Sequence, residues 1–203
     1  MTSWQSYRSQ ARNVLASYVE RPTALLLEKA GLSPNKLTAI GLLFSVATAY
    51  FLSIGQFVSG AILLLVASSL DMADGALARL RNKATATGAL LDSTADRISE
   101  AVVFLGLLVF YVKPISEIHI SMIFLALFGS FMVSYLRARG EGLGVDCKIG
   151  VMTRPERVIV LAAGLMVHQT AIALSIIIVL SVLTSIHRFW HIHKELSQQQ
   201  SVK

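Results

Sequence analysis

Ser68–Leu80 reads SSLDMADGALARL, and it continues an apolar run, FVSGAILLLVA, at Phe57–Ala67. A helix composed to cross a membrane thus carries two aspartates near one end. Fourteen residues from Phe57 to Leu70 rise about 21 Å at 1.5 Å each, and the hydrocarbon core is about 30 Å thick. Asp71 and Asp74 are therefore expected within the bilayer, or at its edge, on one side. Residues three apart share a helix face, so both carboxylates point the same way. Charged side chains at that depth are costly and are usually functional.

The next apolar stretch answers them. Gly88–Arg97, GALLDSTADR, places Asp92 and Asp96 four apart, again on one face and toward the same end. Two antiparallel helices joined by a short basic turn would bring four carboxylates together. Four carboxylates cannot stay ionised side by side in a low dielectric without protonation, arginine partners or bound cations. Oxygen ligands at this density suit Mg²⁺, Mn²⁺ or Ca²⁺, and two such ions would make a clamp for phosphoryl chemistry. Gly75, Ala78, Gly88 and Ala95 are small enough to let a helix or a bulky ligand approach. Taken alone they read as ordinary membrane-helix packing; the acids do not. Arg79 stands one turn from Gly75, in reach of a phosphate oxygen.

Composition agrees with a membrane class. The 203 residues are 54% hydrophobic and only 15% charged, against about 25% charged in an average soluble domain. Six spans are expected, at Leu37–Ile54, Phe57–Leu80, Ala86–Val112, Ile118–Arg139, Pro155–His168 and Thr170–Ile192, the fifth short. The fold class is thus an all-α integral membrane protein with six transmembrane helices. Seventeen of the eighteen Lys and Arg fall on one side of such a topology, Lys113 being the exception. The positive-inside rule makes that side cytoplasmic, with both termini and the acids on it. The +6 net charge then serves an inner face set against anionic lipid and phosphate; no aromatic–basic interleaving suggests nucleic acid.

Residues 1–21 are polar and basic, without the compact apolar core of a cleaved signal. Trp4, Tyr7, Ala11, Val14, Leu15 and Tyr18 share one side, which predicts an interfacial amphipathic helix stopped near Arg21 by Pro22. One membrane domain is expected over 22–193, with a C-terminal tail over 194–203 whose end, SQQQSVK at 197–203, is expected to be disordered. The single cysteine, Cys147, excludes an internal disulfide and a paired-Cys zinc site. His187, His191 and His193 have no carboxylate or Cys beside them and read as headgroup-level residues rather than a metal site.

The run DMADGALARLRNKATATGALLDSTAD resembles the signature of the CDP-alcohol phosphotransferases, D-x2-D-G-x2-A-R-x8-G-x3-D-x3-D. Asp71, Asp74, Gly75, Ala78, Arg79, Gly88, Asp92 and Asp96 meet every fixed position. The resemblance implies six membrane helices, a homodimer, and transfer of a substituted phosphate from a CDP-linked lipid such as CDP-diacylglycerol to an alcohol, with release of CMP. It implies Asp71, Asp74, Asp92 and Asp96 as ligands of two Mg²⁺ or Mn²⁺ ions and Asp96 as general base. Gly75, Arg79 and Thr85 are then expected at the CDP moiety. Gly31–Gly41, GLSPNKLTAIG, resembles the start of the family's first span, which places Asn35, Lys36, Leu37 and Thr38 at the CDP-lipid. Ser33 or Asn35 could cap that helix, with Pro34 at its start.

Ser134–Leu161, SYLRARGEGLGVDCKIGVMTRPERVIVL, is similar to the region found in the members that use inositol phosphate. Their acceptor carries a second, dianionic phosphate. Arg137, Arg139 and Arg188 are the cations expected to receive it, although arginines at cytoplasmic helix ends are also ordinary topology signals. The family often has Lys at Arg137 and Ala at Gly140. In RPER, Pro155 can start a helix and Glu156 can pair with an arginine. The same chemistry with glycerol-3-phosphate is the alternative. A more distant one is an ion or proton transporter, which predicts acids spread through the bilayer depth rather than gathered at one level.

Overall fold

The computed structural model describes residues 34–80, 85–147 and 149–201, with the side chains at 34, 35, 74–76, 78–80, 200 and 201 left aside. The described residues form six α-helices: α1 (Pro34–Ser53), α2 (Phe57–Leu80), α3 (Ala86–Val112), α4 (Glu117–Gly142), α5 (Arg154–Met166) and α6 (Thr170–Ser201). The predicted N-terminal helix over 1–21 lies outside them. Pro34 opens α1, so Asn35 is inside the helix and does not cap it.

Among the described residues three helices are long and apolar enough to cross a membrane: α1 over Lys36–Ser53, α4, and α6 over Thr170–Gln199. In α2 the apolar part is the shorter Phe57–Ala73, because Asp74 and Arg79 follow it. In α3, Asp92, Asp96, Arg97 and Glu100 interrupt the apolar run. About a third or less of each long span is buried within the protein. Leu43 and Phe124, each 67% exposed, typify outward faces that would be a liability in water but are the solvated faces in lipid.

Two ends differ from the sequence reading. The fifth helix stops at Met166, thirteen residues long, as Val167, His168 and Gln169 turn the chain toward α6; His168 adopts a positive φ of 55°. The stretch expected as a disordered tail continues α6 as far as Ser201. Lys194, Glu195 and the glutamines are good helix formers, and no Gly or Pro intervenes.

The described residues divide into two compact units. The first holds residues 34–45 and 66–99. Its buried positions are mostly small: Thr38, Ala67, Ala73, Ala95 and Ser99, beside Leu37 and Leu77. A Cβ at Gly41 would sit 3.7 Å from the Ala67 carbonyl, the close approach that small residues allow. The second holds residues 46–65 and 100–201. Leu52, Phe57, Phe104, Leu107, Ile123, Leu161, Leu165, Leu174 and Ile177 form its core, where α4 and α5 each pack on α6.

Candidate active site

In the first unit, α2 and α3 bring Asp71, Asp92 and Asp96 together. Each offers a carboxylate oxygen, and these atoms all lie within 4.8 Å of one another. That is about twice the 2.0–2.6 Å metal–oxygen bond of Mg²⁺ or Ca²⁺ sites, so one ion can touch all three. Helical period puts Asp92 and Asp96 one turn apart on α3, and α2 brings Asp71 to them. All three side chains are half-buried, enough to raise the cost of unbalanced negative charge without sealing the site from solutes. Among the described residues Arg97 forms an ion pair with the cluster, its Nη1 3.6 Å from Asp96 Oδ2. The same Nη1 donates to the Ser93 carbonyl at 2.9 Å, so that nitrogen is shared between the cluster and the helix backbone. The donor set therefore fits a hard divalent cation. The side chains of Asn35, Asp74 and Arg79 lie outside those described, and the surroundings of Gly75 are likewise left aside.

Lys36 is exposed, and Leu37 and Thr38 are buried in the first unit. Thr85 has a structural task. Its Oγ1 accepts from the Gly88 N–H at 3.0 Å, and its carbonyl accepts from the Ala89 N–H at 3.0 Å, so it caps α3. A Cβ at Gly88 would come 3.1 Å from that hydroxyl, which gives the signature glycine a steric reason. Thr85→Ala is expected to lose about 1 kcal/mol of stability, read as a lower melting temperature, and Thr85→Ser to restore it.

The three cations expected at the acceptor lie in the second unit and differ from one another. Arg137 is 47% exposed and its Nε donates to Glu141 Oε1 at 2.9 Å, a surface i,i+4 pair that competes weakly with a phosphate. Arg139 is exposed on the last turns of α4. Arg188 is 2% exposed, with Nε donating to the Ile149 carbonyl at 2.9 Å and Nη1 to the Val133 carbonyl at 2.5 Å. Its charge is felt nearby: burial pushes the Cys147 thiol up, and Arg188 opposes that shift. The RPER segment begins α5. Thr153 and Glu156 close a reciprocal capping box, with a proline in the first turn. Sequence reasoning passed over Glu100, which pairs with Arg157 in the interior; the two are 57 positions apart, and no local pattern joins them.

The fold and the aspartate cluster define a class. The chain belongs to the CDP-alcohol phosphatidyltransferase family, whose model matches residues 32–190, and with its membrane-spanning helices it is a multi-pass membrane transferase. Within the family it is similar to the archaetidylinositol phosphate synthase of Methanothermobacter thermautotrophicus, 34% identical over 160 residues, 79% of this chain and 77% of that one. It is also similar to the phosphatidylinositol phosphate synthase of Mycobacterium tuberculosis. The crystal structure of that enzyme with CDP-DAG bound superposes with a TM-score of 0.77 at 32% identity, covering 86% of this chain and 93% of that one. Its structure in complex with manganese and citrate gives 0.74, covering 84% and 87%.

Proposed function

We propose that the protein transfers a phosphatidyl group from CDP-diacylglycerol to a hydroxyl of inositol phosphate, releasing CMP and forming phosphatidylinositol phosphate. The observation that carries the reading is the meeting of Asp71, Asp92 and Asp96, within the family's signature, in a chain whose solved relative binds CDP-DAG and manganese. The acceptor hydroxyl oxygen bonds to the lipid-bearing phosphorus, the bond from that phosphorus to the CMP oxygen breaks, and the hydroxyl proton goes to Asp96. Asp71, Asp74 and Asp92, with Asp96, would hold two Mg²⁺ or Mn²⁺ ions. Bound there, such ions would neutralise the diphosphate and stabilise the departing CMP, so no acid would be needed for the leaving group. Asp96, held against the hydroxyl as charge develops on its oxygen, accepts the proton although a carboxylate is a weak base in water.

Asn35, Lys36, Leu37, Thr38, Gly75, Arg79 and Thr85 are assigned to the CDP-lipid, and Arg137, Arg139 and Arg188 to the acceptor's own phosphate. Six crossings, an active site facing the cytoplasm and a homodimer complete the reading. Purified protein offered CDP-diacylglycerol with a panel of radiolabelled acceptors tests it. Incorporation of inositol phosphate with matching CMP release is expected; incorporation of glycerol-3-phosphate instead would move the protein to the other acceptor. Ion flux in liposomes without CMP release would revive the transporter.

A further inference from the structure

The second unit buries a charged pair that the transfer chemistry does not use. Arg157 on α5 is 3% exposed. It donates to Glu100 on α3 through two points, Nε to Oε1 at 2.7 Å and Nη2 to Oε2 at 3.0 Å. Its Nη1 also reaches the Met152 carbonyl at 3.5 Å. The Met152 N–H donates to Thr184 Oγ1 on α6 at 3.1 Å, and three residues back the Ile149 carbonyl accepts from Arg188 Nε. Between them Gly150 sits at φ +113°, where a Cβ would stand 2.5 Å from Thr184 Cγ2 and 3.3 Å from Arg188 Nε. Ile149–Met152 is therefore a strap gripped by α6 on one side and by the Glu100–Arg157 pair on the other.

Stability alone gives the pair little reason to exist. Replacing a buried ion pair by apolar residues of similar volume is often neutral or stabilising, whereas removing one partner is costly. Geometry supplies a reason. Two donors of the Arg188 guanidinium are committed to backbone carbonyls, so where it stands depends on where Ile149 stands.

We propose that Glu100 and Arg157 are positioning residues that fix the Ile149–Met152 strap and, through it, the Arg188 guanidinium in the place that receives the acceptor's phosphate. The inference rests on the reading of Arg188 as an acceptor residue. The test is steady-state kinetics on purified protein with CDP-diacylglycerol and whichever phosphorylated alcohol supports CMP release. The variants are Glu100→Leu with Arg157→Met, Arg157→Lys alone, and Arg188→Lys.

The double variant is expected to melt no lower than the wild type and to raise the acceptor KM about tenfold, with the CDP-lipid KM held within about twofold. Arg157→Lys keeps the charge but loses the fork, and should raise the acceptor KM in the same direction; it carries the test if the double variant does not fold. A folded variant whose acceptor KM is unchanged, or whose two KM values rise in proportion, overturns the proposal. If Arg188→Lys raises the acceptor KM while the pair variants do not, the proposal alone fails. If Arg188→Lys changes nothing either, the acceptor reading fails with it.

Discussion

Asp96→Asn is expected to lower turnover by about a thousandfold, at the centre of the range for a lost general base. Asparagine keeps the size and one oxygen of the side chain but cannot take the acceptor's proton. Binding of CDP-diacylglycerol, followed by isothermal calorimetry in detergent, should persist because the other acids remain. The two readings together separate a base from a mere ligand. A variant that still turns over within tenfold of the wild type would remove Asp96 from the proton's path.

Asp92→Asn is expected to cut activity by roughly a hundredfold at fixed Mn²⁺, a fraction of the several kcal/mol a metal contributes to such a transition state. It also makes an opposite prediction about stability. Three carboxylates whose oxygens lie within 4.8 Å repel one another when no cation is bound. In chelator, Asp92→Asn should therefore melt at a higher temperature than the wild type. In saturating Mn²⁺ the order should reverse, because a ligand at about a hundred times its Kd stabilises by about 2.7 kcal/mol and the variant binds the ion poorly. Melting curves that keep the same order in both conditions would deny the cluster a metal.

Much of this centre was legible because its residues break the local rule. Asp71, Asp92 and Asp96 stand in apolar helices, and helical periodicity alone assigns them to faces. Their convergence needed only antiparallel neighbours, which a short connection between α2 and α3 makes natural. The ends of helices were harder. The helix-forming composition of Lys194–Gln200 does not betray whether a chain follows it as helix or coil. Arg137 and Arg188 look alike in sequence, each near the basic end of an apolar run. One is a half-exposed partner of Glu141 and the other is sunk among backbone carbonyls, a difference set by the packing of α4, α6 and the strap. The Thr-x-x-Gly spacing of Thr85 and Gly88 is itself a cap signal, and it is compatible with the nucleotide role that the family resemblance gives Thr85. Glu100 and Arg157 find each other only through tertiary structure.

The length of α6 has a further meaning. Its 32 residues make a rod about 48 Å long. To hide such a rod inside a hydrocarbon slab about 30 Å thick it would have to lean by about 50°, beyond the roughly 40° limit of observed inclinations. At least one end of it must therefore stand clear of the acyl chains, and the polar turns that close α6 are the end suited to water. An antibody fragment or spin label on those closing turns would report the depth at which the molecule floats.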